Sequence, residues 1–214
     1  MSPRAPNLDV SLQQSLEQLY RLDESPPVEH FRIDRDAFVQ VLGRAAARQR
    51  EALVVHHAGD ETHLALFICD EVMAKARQLH ASPDVRTLDA FCVAAEGVSH
   101  FVYFTYCGER QERPVSQMEL ELQAEVDKFI LLNVLLAMDG EALVSTLFDN
   151  ATLSDDLDAA ERERYQLAHR LGRRYARWFS RAARGGRTEH ALADARRLYR
   201  MPLTAKLDHI AKAA

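Results

Sequence analysis

The chain has 214 residues, of which 47% are hydrophobic and 28% are charged, with a net charge of −5. This composition supports a core of its own, and three widely spaced cysteines favour buried thiols over a disulfide framework or a zinc ribbon. There is no apolar run of about 18 residues and no signal-peptide core near the amino terminus, so we expect a cytoplasmic protein without membrane insertion.

The first third of the chain predicts helices and a β-hairpin. Its helices are expected over residues 10–22 and 36–48, with an edge strand over 30–33 and hairpin strands over 52–57 and 62–69. Gly59 allows the tight turn between the two hairpin strands. In the simplest register His56 faces His63, a pair that could bind a metal but for which no spacing supplies a third ligand. Both strands are apolar on both faces, so other elements must cover them.

Two long apolar segments, residues 88–107 and 116–138, dominate the middle of the chain. Ser116 and Glu119 have the spacing of a capping box at the start of the second segment. Because only a short connection joins the segments, we predict two antiparallel helices that lie side by side and cover the hairpin. Shorter helices are expected over 71–79 and 141–148, and a polar connector over 149–158.

The central helices predict one candidate site. If they are antiparallel, Glu96 lies level with Lys128, and His100 lies level with Glu125. One interpretation is a divalent metal site, for example for iron or manganese, and its candidate ligands are Glu96, His100, Glu121 and Glu125. The other is a set of ion pairs, Glu96 with Lys128 and His100 with a glutamate of the second helix. The Glu-x-x-His spacing of di-iron bundles is absent from the sequence.

The carboxy-terminal part is strongly basic. From Glu161 onward there are fourteen basic and five acidic residues, a net charge of +9, whereas the first 160 residues carry 13 basic and 27 acidic residues, a net charge of −14. We therefore predict an acidic α+β core over residues 1–150 and a basic helical subdomain over residues 151–214. Opposite charges favour docking of the two parts on each other, or binding of the basic part to an anionic partner.

A stripe of arginines marks the long basic helix predicted over 158–184. Its members lie within an arc of roughly 100° on the helix, and they are Arg170, Arg173, Arg174, Arg177, Arg181 and Arg184. Guanidinium groups in this arrangement suit anion or nucleic-acid binding, through backbone contacts rather than base reading. The alternatives are a solvated helix face and a face docked on the acidic core. Further helices are expected over 189–199 and after Pro202.

Several catalytic signatures are absent from the sequence: glycine-rich phosphate loops, the Gly-x-Ser-x-Gly elbow, His-Glu-x-x-His and paired Cys-x-x-Cys. We expect a mostly helical α+β fold, in which a small antiparallel β-hairpin sheet packs on a central antiparallel helix pair, with a basic helical C-terminal subdomain. Two functions fit. The first is an interaction or adaptor protein whose arginine-rich helices engage an acidic protein or a nucleic acid. The second is a metal-binding protein or metal-dependent enzyme that uses the site between the central helices.

Overall fold

A computed structural model describes residues 7–59, 61–149 and 158–213. The helices are α1 (Leu8–Tyr20), α2 (Arg35–Leu42), α3 (Asp70–Ala76), α4 (Val85–Thr105), α5 (Gln117–Ile130), α6 (Gly140–Val144), α7 (Ala159–Arg184), α8 (Thr188–Tyr199) and α9 (Leu203–Lys212). The strands are β1 (Arg32–Ile33), β2 (Glu51–Ala58) and β3 (Glu61–Ile68). This arrangement confirms the mostly helical α+β class. None of the described helices is both long and apolar enough to cross a membrane.

The sheet has the strand order β1-β3-β2 and is mixed. Strands β2 and β3 form the predicted antiparallel hairpin, and His56 pairs with His63 as expected. Strand β1 runs parallel to β3, so the prediction of a purely antiparallel sheet was wrong. Two residues are too few to show an alternating pattern, so their strand direction is not encoded locally. Instead, β1 is fixed by tertiary contacts, because the Arg32 guanidinium donates to the Ile68 carbonyl and to Asp9, both at 2.8 Å.

Different elements cover the two faces of the sheet. Because side chains alternate along a strand, Leu66 and Ile68 enter the main core on the side of α4, whereas Phe67 points to the opposite side. There Phe67 stacks on Phe38 of α2, with ring centroids 4.3 Å apart. Of the predicted cover by the two central helices, α4 supplies the contacts on one face, and α2 with the turn that follows it covers the other.

Helices α4 and α5 form the predicted antiparallel pair at the centre of the fold. Asp84 and Thr87 close a capping box at the start of α4. At the start of α5, Ser116 accepts a hydrogen bond from the Glu119 backbone at 3.2 Å. The Glu119 side chain does not complete the predicted box. It accepts hydrogen bonds from Tyr103 and Arg113 instead, each at 2.6 Å, and so ties α5 to α4 and to the loop between them.

Helix α7 packs lengthwise on the other side of α5. A capping box of Asp158 and Glu161 begins α7. Gly172 permits close approach, because a Cβ at this position would lie 2.7 Å from Cβ of Glu125 on α5. Buried side chains of both α5 and α7 belong to the main hydrophobic core. The domain division near residue 150 stays a prediction, and most of the predicted connector over 149–158 lies outside the described residues.

Candidate metal centre

Three of the four predicted metal ligands come together between the central helices. Glu96 and His100 are four residues apart on α4 and share one face, and Glu121 projects from the facing side of α5. One potential ligand atom from each residue can be chosen so that all three lie within 4.8 Å of one another. The His100 and Glu121 side chains are only 8% and 11% exposed, so the group is shielded from bulk solvent.

The His100 ring lies between two carboxylates without hydrogen bonding to either. Its Nε2 is 3.7 Å from Oε2 of Glu121, and its Nδ1 is 3.8 Å from Oε2 of Glu51. Both separations exceed the 2.7–3.2 Å range of normal hydrogen bonds. Within the described part of the chain, His100 Nε2 and Glu51 Oε2 are buried and have no hydrogen-bond partner. Each unsatisfied group costs about 1–3 kcal/mol, so the arrangement favours a further occupant.

A divalent metal fits the gap beside Nε2. First-row metals lie about 2.0–2.2 Å from imidazole nitrogen and carboxylate oxygen. Two ligand atoms 3.7 Å apart can therefore both reach one ion placed between them. The widest separation in the group, 4.8 Å at most, would have to contract by about 0.4–0.8 Å if its two atoms lie on opposite sides of the ion, and by more at smaller angles. One imidazole with two carboxylates is a donor set that suits manganese, iron or zinc.

Glu51, the first residue of β2, is part of the site although the sequence analysis did not select it. A carboxylate on the far nitrogen of a metal-binding imidazole fixes the ring orientation, and Glu51 occupies that position relative to His100. Gly97 makes room for it, because a Cβ there would lie 3.1 Å from Oε2 of Glu51. A glycine in the middle of a helix weakens that helix, so Gly97 was a signal in the sequence that another group approaches α4 closely at this position.

Glu125, the fourth predicted ligand, lies beside this group and pairs with other residues. Its Oε1 is 3.3 Å from Nζ of Lys128 and 3.7 Å from Nδ1 of His169 on α7. Lys128 also donates to Glu96 at 2.8 Å, the ion pair that the antiparallel register predicts. Lys128 and His169 hold the pKa of Glu125 below its usual range although burial opposes them. The structure therefore contains both arrangements considered from the sequence, the ion pairs at Lys128 and a possible metal group at His100.

With every carboxylate ionised, this region carries an excess negative charge, which either a proton on a carboxylate or a further cation would neutralise. Four carboxylates share the region with three nitrogen bases. They are Glu51, Glu96, Glu121 and Glu125, together with Lys128, His100 and His169. Burial would lower the pKa of His100, but the carboxylates of Glu51 and Glu121 outweigh burial and raise it to about 9. Even with all three bases protonated, one negative charge is left over. Burial accordingly raises the pKa of Glu121 to about 7. A divalent ion in place of the imidazole proton would neutralise the region.

The basic part of the chain closes the site from one side. Tyr165 of α7 lies near Glu121, and its pKa is raised first by burial and then by the charge of that carboxylate. The His169 ring also meets the backbone carbonyl of Phe148, with Nε2 3.0 Å from the oxygen. Residues from β2, α4, α5 and α7 thus surround a single buried polar region.

A second buried polar network lies further along the same helices, and the sequence analysis did not find it. The carboxylate of Asp127 accepts hydrogen bonds from Tyr20 at 2.5 Å, from Ser99 at 2.6 Å and from Gln123 at 2.7 Å. Lys206 of α9 is fully buried and donates to the Gln123 side-chain oxygen, and burial lowers its pKa to about 8. Among the described residues, no buried side-chain nitrogen or oxygen of this network lacks a partner. Its bonds are complete, unlike those around His100.

Some arginines of the α7 stripe pair with carboxylates of the described chain, and the others do not. Arg173 pairs with Asp149, and Arg184 pairs with Glu141, so the acidic part holds both of these arginines. Arg174 donates to the carbonyl of Ala211. The stripe also contains Arg170, Arg177 and Arg181, all of them exposed. Docking on the acidic part therefore accounts for two stripe arginines, and the predicted role in anion binding stays a prediction.

Comparison of the chain with protein-family models, with curated proteins and with solved structures finds no match in any of the three.

Proposed function

We propose that the protein binds one divalent first-row metal ion through Glu96, His100 and Glu121, and that Glu51 orients the His100 ring from its other nitrogen. The observation that carries the proposal is the buried, unbonded Nε2 of His100, 3.7 Å from a carboxylate oxygen of Glu121. A salt bridge would bring these atoms within hydrogen-bond distance, as it does for Lys128 and Glu96. An intervening ion accounts for the wider separation.

The proposed role of the ion is to hold helices together. Its ligands come from α4 and α5, and the residue that orients His100 comes from β2, so a bound metal would cross-link the central pair beneath the sheet. Side chains that are about nine-tenths buried leave little room for a large substrate at the ion. The geometry therefore favours a stabilising metal over one that processes a macromolecule.

The test is metal binding by chelator-treated protein. Isothermal titration with Mn²⁺, Fe²⁺ (without oxygen) and Zn²⁺ should show one ion per chain for at least one metal. At a free concentration of about 100 times the Kd, binding should stabilise the fold by about 2.7 kcal/mol. For a chain of this size the corresponding rise in Tm is roughly 5–11 °C. Absence of stoichiometric binding together with an unchanged Tm would overturn the proposal.

His100→Gln tests the site itself, with His190→Gln as the matched control. His190 is exposed on α8 and lies outside the proposed ligand group. We expect His100→Gln to abolish the rise in Tm and His190→Gln to keep it. Circular dichroism of each metal-free variant shows whether it is folded. Glu121→Gln supplies a second variant in case His100→Gln does not fold. A folded His100→Gln or Glu121→Gln protein that still binds one ion with wild-type affinity would contradict the assignment.

A further inference from the structure

Four arginines form a row along the exposed side of α7. They are Arg170, Arg174, Arg177 and Arg181, referred to below as the arginine face. Successive members are three or four residues apart, so the row extends for about 16 Å along the helix. The carboxylates of Asp149 and Glu141 neutralise the flanking Arg173 and Arg184. Among the described residues, no carboxylate pairs with a member of the arginine face.

Two members of the arginine face donate to backbone carbonyls, Arg174 to one of α9 and Arg181 to one of α7 itself. Arg174 donates to the Ala211 carbonyl, and Nε of Arg181 donates to the Arg177 carbonyl at 3.3 Å. A guanidinium has five N–H donors and is charged at any cellular pH, so these single bonds leave donors available for a ligand. The arginine face is thus a row of four exposed cations, of which Arg174 and Arg181 are partly oriented.

The chemistry of the row favours a nucleic acid over an acidic protein as its partner. Cores of protein interfaces are apolar and depleted in charge. The large exposed hydrophobic residues of the described chain are Val41, Leu42, Val85 and Leu135, and none of them belongs to α7. A nucleic-acid strand carries one phosphate per 3.4 Å of duplex axis, so a row of about 16 Å can meet several phosphates at once. Arginine also binds phosphate oxygens in a two-pronged geometry.

We propose that the arginine face binds the phosphate backbone of a nucleic acid. The proposal is independent of the metal site, because the arginine face lies on the exposed side of α7 whereas Tyr165 and His169 lie on its inward side. Contacts to phosphates alone predict binding that depends strongly on salt and weakly on base sequence.

The fluorescence of Trp178 can report binding at the arginine face directly. This residue is the single tryptophan of the chain, it is half-buried, and its ring stacks on Tyr175 with centroids 5.5 Å apart. It is adjacent to Arg177 in the chain and four residues from Arg174, one helical turn away. A polyanion on the arginine face should therefore change the fluorescence of Trp178.

The experiment titrates the full chain with an oligothymidine of about 20 nucleotides, longer than a typical single-strand site, and with a duplex of similar length. Four phosphate contacts predict a slope of log K against log salt near −3 for the single strand and near −4 for the duplex. Between about 50 and 200 mM salt the single-strand affinity should fall roughly 50-fold. Poly-glutamate at equal charge concentration should compete weakly.

Arg170→Glu/Arg177→Glu should lose at least about tenfold in affinity and about half of the salt slope. The matched control is Arg44→Glu/Arg48→Glu, which makes the same change in net charge at exposed positions after α2. Equal losses in both variants would show an effect of overall charge and overturn the assignment. Salt-independent binding, no binding at low salt, or equal competition by poly-glutamate would also overturn it, and the last result would identify an acidic protein as the partner.

Discussion

Lys128 is the residue whose removal tests the electrostatics of the central helices most directly. Its side chain is 12% exposed and its ammonium lies 2.8 Å from Glu96 and 3.3 Å from Glu125. Lys128→Met keeps the length of the side chain and removes the charge. Glu125 keeps His169 as a partner, whereas Glu96 loses its one salt bridge among the described residues. Removing one partner of a buried ion pair lowers the free energy of unfolding by about 3–5 kcal/mol, whereas that of a typical domain is only about 5–15 kcal/mol in total.

Urea denaturation of chelator-treated protein measures the effect, with Lys75→Met as the control. Lys75 pairs with Glu71 one helical turn away, but both are solvent-exposed, so this change should leave the free energy of unfolding nearly unchanged. The double variant Glu96→Gln/Lys128→Met removes the stranded charge and should recover about 1–3 kcal/mol of the loss. A Lys128→Met protein within about 1 kcal/mol of wild type would refute the reasoning. A double variant no more stable than the single one would do the same.

Three further predictions concern the packing and the second polar network. Burial makes the pKa of Lys206 lower in the folded than in the unfolded chain, so the charged ammonium destabilises the fold below pH 8. The free energy of unfolding should therefore increase by about 3 kcal/mol between pH 8 and 10.5. Lys206→Met should remove this increase from the urea-denaturation profile. Gly172→Ala places a Cβ 2.7 Å from a side-chain carbon of α5 and should lower the free energy of unfolding by about 1 kcal/mol, because overpacking outweighs the gain in helix propensity. The control is Gly108→Ala, which should be neutral or stabilising because no atom lies within 4 Å of the added Cβ. Tyr20→Phe removes a 2.5 Å hydrogen bond to the buried Asp127 and should cost about 1–3 kcal/mol, measured by thermal and urea unfolding.

Local patterns were sufficient to predict most of the helices, the hairpin and the register of the central pair, whereas the helix predicted over 36–48 ends at Leu42, before Gly43 with its φ of 83°. The Glu96–Lys128 pair followed from helix periodicity and a short connection, because these two features fix which residues lie level on antiparallel helices. The His56–His63 pairing followed from the tight turn at Gly59 in the same way. Each of these contacts depends on a short stretch of chain.

Contacts between distant segments were not predictable by the same means. Glu51 reaches His100 because Gly97 lets the sheet approach α4, and nothing near residue 51 records that approach. One partner of Glu125 is His169, and predicting this pair would have required the position of α7 relative to α5. The direction of β1 depends on Arg32 reaching Asp9 and the end of β3. In each case the deciding contact joins elements whose relative placement no local periodicity specifies.

The order in which the chain can assemble follows from where Glu51, His100 and Glu121 originate. His100 and Glu121 are proposed ligands on α4 and α5, and Glu51, which would orient His100, lies on β2, so the complete site extends over 71 positions of the sequence. In a zinc finger, by contrast, closely spaced ligands allow the ion to organise the peptide around itself. Here the proposed site would be complete only once β2 has packed against the helix pair. A bound metal should therefore slow unfolding while leaving the refolding rate nearly unchanged. It would stabilise the native state without taking part in the folding nucleus.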